Sequence, residues 1–201
     1  MFTCVGNDDD LRQVVNGEQG AFRSMGKRTL LVDHTTTSAI VARELANVGA
    51  SLGVGFVDAP ISGGQSGAEN GILTVMCGGD QANYDRAEPV IQAYARSVKR
   101  LGEVGCGQLT KMVNQICVAG VVQSLAEAIH FAQRAGLDPL AVIEVISKGA
   151  AQSWQMENRY KTMIDDKFDF GFAVDWMRKD LKIAMDEAKN NGSLLPITEV
   201  V

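Results

Sequence analysis

Residues 103–120, EVGCGQLTKMVNQICVAG, divide the chain into two halves with different sequence patterns. Before this stretch, short apolar segments alternate with segments of helical pattern, and after it no strand pattern recurs. The stretch itself opens with glycines and continues as one helical pattern without a strong breaker until Gly136. The sequence therefore predicts an α/β domain over residues 1–104, followed by an all-helical domain over residues 105–201 that begins with one long helix.

The first half contains five apolar segments with the length and composition of buried strands. They are FTCVG at 2–6, TLLVD at 29–33, GFVDAP at 55–60, ILTVMCGG at 72–79 and SVKRLG at 97–102. Helical patterns lie between them, and Pro89 is expected to bend or split the last of these helices. Strands that are separated by helices predict a sheet that is mostly parallel.

The second half predicts three further helices, over residues 138–146, 156–164 and 174–192. The chain ends on LLPITEVV, which is apolar and has no cap, and its first recognisable element is already a strand. From these two ends we expect the chain to be a fragment of a longer protein that is also truncated at its C-terminus.

The composition is that of an ordinary globular protein, with 46% hydrophobic and 21% charged residues and a net charge of −5. No basic stripe is present, so we expect no nucleic-acid partner. No apolar run approaches the ~20 residues of a membrane span, so we expect no membrane association. The four cysteines are scattered and lie near no histidine cluster, which predicts reduced thiols, no metal site and a cytoplasmic location.

Residues 58–71, DAPISGGQSGAENG, follow a predicted strand and are rich in glycine. Ligands of α/β sheets bind beyond the carboxyl ends of strands. The adjacent Gly63 and Gly64 allow backbone N–H groups to approach an anion closely, and Ser62 adds a hydroxyl donor. The alternative is that this segment is only a flexible hairpin connector. DHTTTS at 33–38 also follows a strand, and plain helix capping is the alternative there.

The long helix carries polar residues where an apolar helix does not need them. Lys111, Asn114 and Gln115 share one face because they are three and four residues apart. A lysine near a helix N-terminus that is also desolvated has a lowered pKa, which suits proton transfer near neutral pH. The alternative is a surface lysine on a solvated stripe. Near residue 179, the cluster Arg178–Lys179–Asp180 fits either an anion contact through Lys179 or a solvated helix face.

Taken together, DAPISGG, the pattern GxGxxxKxxN at 105–114 and RKDL at 178–181 resemble the β-hydroxyacid dehydrogenase family. This family includes 3-hydroxyisobutyrate dehydrogenases and tartronate semialdehyde reductases. The resemblance covers nearly the whole chain. It implies the C-terminal part of a Rossmann-type dinucleotide-binding domain plus a helical domain, NAD or NADP as the cofactor, and a small carboxylate-bearing substrate.

The resemblance also implies roles for individual residues. Lys111 matches the catalytic lysine, which exchanges a proton with the carbonyl or hydroxyl oxygen of the substrate. Substrate-binding positions are matched by Ser62, Gly63, Gly64 and Asn114. Cofactor-binding positions are matched by Val5, Gly6, Asn7, Thr36 and Lys179, although the family usually has Leu-Pro where this chain has Val5-Gly6.

One departure from the family leaves alternatives open. The GxGxxG turn that binds the dinucleotide pyrophosphate is not found in this sequence, so the choice between NAD and NADP is not readable. The chain is therefore interpreted as an NAD(P)-dependent oxidoreductase of small β-hydroxy acids or their semialdehydes, or as a truncated non-catalytic oligomerisation module, or as a related glyoxylate or imine reductase. In each case the long helix is expected to support a homodimer or homotetramer.

Overall fold

The computed structural model describes residues 1–201 and consists of six strands and nine α-helices. The strands are β1 Phe2–Thr3, β2 Leu30–Asp33, β3 Gly55–Asp58, β4 Ile61–Ser62, β5 Leu73–Gly78 and β6 Ala95–Gly102. The helices are α1 Asp8–Asn16, α2 Ala39–Leu52, α3 Gly64–Glu69, α4 Gln81–Ile91, α5 Cys106–Arg134, α6 Pro139–Ile146, α7 Trp154–Ile164, α8 Val174–Asn191 and α9 Pro196–Val200. A short 3₁₀ helix covers Ala21–Arg23.

All six strands belong to one mixed sheet. Strands β1, β2 and β3 are parallel neighbours, and β6 is parallel to β5. Strand β5 runs antiparallel to both β3 and β4. Strand β3 pairs with the end of β5 at Gly78, and β4 pairs with β5 at Thr74 and Val75. The predicted α/β class followed by helices is therefore confirmed, and β5 introduces the antiparallel pairings into a sheet that is otherwise parallel.

Apolar residues cover both faces of the sheet because neighbouring residues of a strand point to opposite faces. Leu31 and Phe56 pack with α1 and α2 on one face, where Leu11 and Leu45 complete the cluster. The next residues along the same strands, Val32 and Val57, pack on the other face with α4 and contact the cluster around Ile91. Helices on both faces leave only the ends of the strands open, which is where a site is expected.

Helix α5 connects the two halves, because it contacts β5 on one side and α7 and α8 on the other. Its 29 residues are long and apolar enough to cross a membrane by length and composition alone, which the sequence analysis did not anticipate. The same criteria are met by core helices of folded proteins, and α5 contributes Met112, Leu125 and Ile129 to packed apolar clusters.

Three segments differ from their predictions. Residues 58–71 are not simply a loop, since they contain β4 and α3. Pro89 does not split α4, which continues to Ile91 before the chain enters β6. The C-terminal apolar stretch forms α9, with Pro196 at its start, where the fixed φ angle of proline suits a first helical turn.

The start of α5 lies unusually close to the sheet at Gly107. A Cβ atom built at Gly107 would lie 2.5 Å from the Met76 carbonyl oxygen and 2.6 Å from the Asp58 carbonyl oxygen. Both of these atoms belong to the backbone of sheet strands, so neither moves without disturbing the sheet. Glycine at this position therefore sets the distance between helix and sheet.

We predict that Gly107→Ala lowers the free energy of unfolding by about 1–3 kcal/mol or more, because the added methyl overpacks against backbone. Gly120→Ala on the same helix is the matched control, since a Cβ there meets nothing within 4 Å. That control should raise stability by about 0.5–1 kcal/mol, through helix propensity alone. Urea denaturation measures both variants, and equal effects would show that the helix does not lie against the sheet as described.

Candidate active site

The carboxyl ends of β1, β2 and β3 lie side by side and are joined by buried polar contacts. Asp33, at the end of β2, accepts hydrogen bonds from Thr3 Oγ1 at 2.8 Å and Thr35 Oγ1 at 2.6 Å. Burial raises the pKa of Asp33 to about 6, although the hydrogen bonds from Thr35 and Thr3 oppose this shift. These contacts hold together the loops that follow β1 and β2.

Asp58, at the end of β3, binds the first turn of α5. Its carboxylate oxygens accept hydrogen bonds from Gly105 N at 2.8 Å and Gln108 N at 2.9 Å. Desolvation by burial raises the pKa of Asp58 to about 6, with the backbone N–H groups of the turn acting in the opposite direction. The carboxylate thereby serves as the N-terminal cap that Gly105 lacks a side chain to provide.

Gln108 extends this connection to the loop after β2. Its side chain accepts a hydrogen bond from Thr37 N at 3.0 Å and donates one to the Thr35 carbonyl oxygen at 2.7 Å. Gln108 is fully buried, so these two bonds fix the loop of residues 35–37 against α5. The loop that follows β2 and the start of α5 therefore form one rigid edge of the site.

Lys111 lies one turn further along α5, and its side chain is almost fully buried, at 6% exposure. Its Nζ atom donates a hydrogen bond to the Ile61 carbonyl oxygen at 2.8 Å. Ile61 is the residue immediately before Ser62. Burial lowers the pKa of Lys111 to about 8. The charge of Asp180 raises this pKa, and that of Lys179 lowers it further. The structure thus places an amine with a pKa of about 8 beside the Ser62–Gly64 segment.

The two glycines of that segment are exposed and have unusual backbone angles. Gly63 and Gly64 have φ angles of +131° and +60°, in the region that favours glycine, and both are exposed. Ser62 is half-buried and lies opposite Thr74 in the pairing of β4 with β5. The Ser62 hydroxyl donates no hydrogen bond within the chain, and the segment begins one residue after the Ile61 carbonyl group that Lys111 contacts.

Asn114 and Gln115 connect the Lys111 face of α5 to α8. Asn114 Nδ2 donates to Gln115 Oε1 at 2.8 Å, and Gln115 Nε2 donates to Asp180 Oδ2 at 2.7 Å. Asp180 is 2% exposed, and its other oxygen lies 3.1 Å from Lys179 Nζ as an ion pair without hydrogen-bond alignment. The interpretation of this cluster as a solvated face is therefore wrong for Asp180.

Lys179 ties α8 to the sheet edge. Its Nζ atom donates hydrogen bonds to the Gly6 carbonyl oxygen at 3.0 Å and to the Thr36 carbonyl oxygen at 2.6 Å. The ring of Trp176, one turn earlier on α8, lies 5.6 Å from the same ammonium group. Lys179, Gly6 and Thr36 are therefore brought together, as the resemblance implies.

The remaining predicted cofactor residues occupy the same loop but use their groups internally. Val5 N donates to Thr35 Oγ1 at 3.0 Å. The Asn7 side chain caps α1 by accepting from Asp9 N and Asp10 N, so only part of its amide is free. Val5 and Asn7 therefore stabilise the loop after β1. Only their polar atoms that make no hydrogen bond within the chain remain for contact with a cofactor.

Sequence reasoning did not predict the buried structural role of four polar residues at this site: Asp33, Asp58, Gln108 and Asp180. Each is buried, and each has partners that lie far away along the chain, for example 50 residues between Asp58 and Gln108. Their only sequence signal is a polar residue at the end of an apolar strand or inside an apolar helical pattern. That signal indicates a buried polar side chain that needs a hydrogen-bond partner, but it does not identify the partner.

The residues at this edge fit the nicotinamide end of a dinucleotide. Lys179 supplies a cation beside the Gly6 carbonyl oxygen, and Thr37 Oγ1 is buried without a hydrogen-bond partner. These groups are able to hold an amide and a ribose. Residues 1–201 contain no GxGxxG turn for the pyrophosphate end, so the fit concerns the reactive end only.

Two family models together cover the chain. The NAD-binding domain of 6-phosphogluconate dehydrogenase matches residues 1–105, and the NAD-binding domain of NADP-dependent 3-hydroxyisobutyrate dehydrogenase matches residues 105–201. Both descriptions name dinucleotide-binding dehydrogenases. The class defined by fold and site is therefore that of the NAD(P)-dependent oxidoreductases.

Individual relatives give the same result. An uncharacterized oxidoreductase of Shewanella frigidimarina is 68% identical over all of this chain and 69% of its own length. The 2-hydroxy-3-oxopropionate reductase of Escherichia coli is 34% identical over 98% of this chain and 68% of the relative. A crystal structure of 3-hydroxyisobutyrate dehydrogenase from Salmonella typhimurium superposes with a TM-score of 0.88 at 33% identity, covering 99% of this chain and 70% of that one. The chain belongs to the β-hydroxyacid dehydrogenase family.

We predict that Lys111→Met raises the free energy of unfolding at pH 7 by about 1–3 kcal/mol, because the native state disfavours the charged form of Lys111. The pKa is about 8 in the folded chain and 10.5 ordinarily. The penalty is therefore complete below pH 8 and disappears as the pH rises towards 10.5, so the gain should shrink over this range.

Lys99→Met is the matched control, since Lys99 is exposed on β6 and should change stability by no more than about 0.5 kcal/mol. Denaturant unfolding at several pH values between 7 and 10.5 measures both variants. A destabilised Lys111→Met variant at every pH would show that Lys111 is not held in a desolvated position.

Proposed function

We propose that the protein transfers a hydride between a nicotinamide cofactor and a small β-hydroxy acid or its semialdehyde, with Lys111 as the general acid and base. The observation that supports this most directly is the position of the buried Lys111 ammonium, 2.8 Å from the Ile61 carbonyl and beside the Ser62–Gly64 segment. A bound nicotinamide, as NAD or NADP, would supply or accept the hydride.

Lys111 meets the charge that develops during such a reaction. Reduction of a carbonyl builds negative charge on its oxygen, which a proton donor within hydrogen-bond reach neutralises. Only one of the three Lys111 ammonium protons is used within the chain, by Ile61. A pKa of about 8 keeps the amine mostly protonated at pH 7 and still lets it accept a proton in the oxidation direction.

The Ser62–Gly64 segment is proposed to hold the carboxylate of the substrate. The backbone N–H groups at the two glycines and the Ser62 hydroxyl are the donors that a carboxylate requires. Asn114, on the Lys111 face of α5, is proposed to orient the reacting end of the substrate. Val5, Gly6, Asn7, Thr36 and Lys179 are proposed to surround the cofactor.

The division at the start of α5 is proposed to separate two functions. Residues 1–104 would carry the cofactor and carboxylate loops, and residues 105–201 would supply Lys111, Lys179 and the contacts between subunits.

The alternative functions, an imine reductase or a purely structural module, are less well supported. An imine reductase does not need the same proton donor as Lys111, because a protonated imine already carries its charge. A purely structural module has no use for a buried lysine that lowers stability.

We predict that Lys111→Met lowers kcat by at least ~10²-fold while sparing NAD(P)H binding, because a general acid typically contributes ~10²–10⁴-fold. Ser62→Ala should mainly raise KM, because it removes a donor to a carboxylate that is present in both the ground state and the transition state. Steady-state kinetics with 3-hydroxyisobutyrate and 2-hydroxy-3-oxopropionate, together with NADH titration, separate these effects. If Lys111→Met keeps more than about a tenth of kcat, Lys111 is not the acid.

We also propose that a second copy of the chain covers the outer face of α5, giving a homodimer or homotetramer. Residues 112–126 contain no charged side chain, and Val113 and Val121, which lie about 80° apart around the helix axis, are exposed. An uncharged apolar face suits the same face of another copy.

For this interface we predict a mass of at least two chains by light scattering at about 10 μM, a concentration at which specific interfaces are commonly occupied. Replacing Val113 by Lys should shift the mass towards that of one chain, because a charge would be buried in the interface. Val90→Lys, on the exposed side of α4, is the control and should leave the mass unchanged. A monomeric wild-type chain would contradict the proposal.

A further inference from the structure

His34 is the first residue after β2, and its ring connects the ends of three strands. Its Nδ1 atom lies 2.6 Å from the Ala59 carbonyl oxygen, which follows β3, and its Nε2 atom lies 2.7 Å from the Tyr94 hydroxyl oxygen, which precedes β6. The ring of Phe2, on β1, stacks on the imidazole with 5.6 Å between the ring centroids. The imidazole therefore has a hydrogen-bond partner at each nitrogen and a packing partner on one face.

These partners fix the hydrogen positions on the His34 ring. A carbonyl oxygen only accepts hydrogen bonds, so Nδ1 carries a hydrogen and donates it to Ala59. Burial lowers the pKa of His34, although the bond to Ala59 opposes this shift, so the ring is neutral at pH 7 and Nε2 is an acceptor. Burial raises the pKa of Tyr94 to about 12, so its hydroxyl keeps its proton and donates it to Nε2. Each of the two contacts thus requires the tautomer that the other one favours.

The Ala59 carbonyl group is the first of three that different elements hold in turn. The carbonyl groups of residues 59, 60 and 61 each accept one hydrogen bond. The donors are the His34 ring, the Met76 N–H group on β5 at 3.0 Å and the Lys111 ammonium on α5 at 2.8 Å. Ser62 follows directly, so these donors fix the point where the Ser62–Gly64 segment begins. The His34 ring is the only one of them that a substitution removes without changing the β5 backbone or Lys111.

We infer that His34 is a positioning residue for the Ser62–Gly64 segment, on which it acts through the Ala59 carbonyl group. Tyr94 fixes the orientation of the ring for this purpose. The inference rests on the proposed function in one respect, namely that this segment binds the carboxylate of the substrate. A segment that is already ordered presents its donors without a further loss of conformational entropy on binding, whereas a mobile segment must first be ordered.

Two substitutions of nearly equal size separate the donor of His34 from the volume of its side chain. Asparagine places its Nδ2 group about where Nδ1 of histidine lies, so His34→Asn keeps a donor for Ala59, whereas His34→Leu does not. Both variants lose the contact with Tyr94 and the stacking on Phe2. A merely structural role of His34 would therefore affect the two variants equally.

The first measurements need neither cofactor nor turnover. The backbone order parameters of the Ser62–Gly64 segment from ¹⁵N relaxation should be about 0.85 in the wild type and in His34→Asn, and should fall towards about 0.6 in His34→Leu. A ¹H–¹⁵N spectrum of the imidazole rings should show the Nδ1–H tautomer of His34 at pH 7. The exposed His130, which is the only other histidine, serves as the internal reference.

Tyr94→Phe tests the orientation of the ring through the loss of a single oxygen atom. The ring is then held at one nitrogen only, so the order parameters of the Ser62–Gly64 segment should fall, but less than in His34→Leu. Tyr84→Phe is the matched control, because it removes a hydrogen bond of 2.7 Å from Tyr84 to Glu88 within α4 and should leave the segment unchanged. If His34→Leu does not fold, Tyr94→Phe carries the test.

The consequence for the substrate is a change in KM. His34→Leu should raise the KM for 3-hydroxyisobutyrate about two- to tenfold, the worth of about one neutral hydrogen bond, with kcat and NAD(P)H binding nearly unchanged. His34→Asn and Tyr84→Phe should keep the wild-type KM.

Two results would overturn the inference: a wild-type His34 ring in the Nε2–H tautomer, or order parameters of the Ser62–Gly64 segment that do not differ between His34→Leu and His34→Asn. Absence of turnover in the wild type has a different meaning. It would contradict the proposed function, while the ring tautomer and the order parameters would still decide whether His34 holds the segment.

Discussion

The contact between the Asp58 carboxylate and the first turn of α5 is the constraint on which the rest of the structure depends. Asp58 accepts the otherwise free N–H groups of Gly105 and Gln108, and Gly107 between them lets the backbone come close enough. Because α5 is rigid, this contact also sets the position of Lys111 one turn later. The lysine then reaches the backbone that follows β3, at Ile61, and the proposed substrate loop begins at the next residue.

Much of this arrangement was predictable from sequence because it follows local patterns. The alternation of strand and helix patterns predicted the sheet. The glycines before an apolar helical pattern predicted the long helix and the boundary between the α/β half and the helical half. The proximity of Lys111 to Ser62 was expected only through the resemblance to a known family. Short elements such as β4 and α3 were missed, since two to six residues between glycines carry little periodic signal.

The burial of Asp180 was also not predictable, and the reason is physical. The residues around it, Arg178 and Lys179, have the composition of a solvated face, and nothing local indicates a partner. Its burial depends on Gln115, 65 residues earlier, and on the packing of α8 against α5. Buried polar networks are set by long-range contacts, so a single sequence shows their members without showing their pairing.

Three buried carboxylates lie at the site that we propose to bind an anionic substrate, and each of them contacts donors or a cation of the chain. Asp58 is neutralised in part by the N-terminus of α5, Asp33 by the hydroxyl groups of Thr3 and Thr35, and Asp180 by Lys179. Each carboxylate therefore has partners within the chain, although Asp33 Oδ2 and Asp180 Oδ1 accept no hydrogen bond. Lys111 differs, because its single hydrogen bond goes to a neutral carbonyl group. Lys111 therefore keeps ammonium protons that no group of the chain accepts, although the chain as a whole carries a net charge of −5. Local pairing, and not net charge, decides what this edge of the sheet is able to bind.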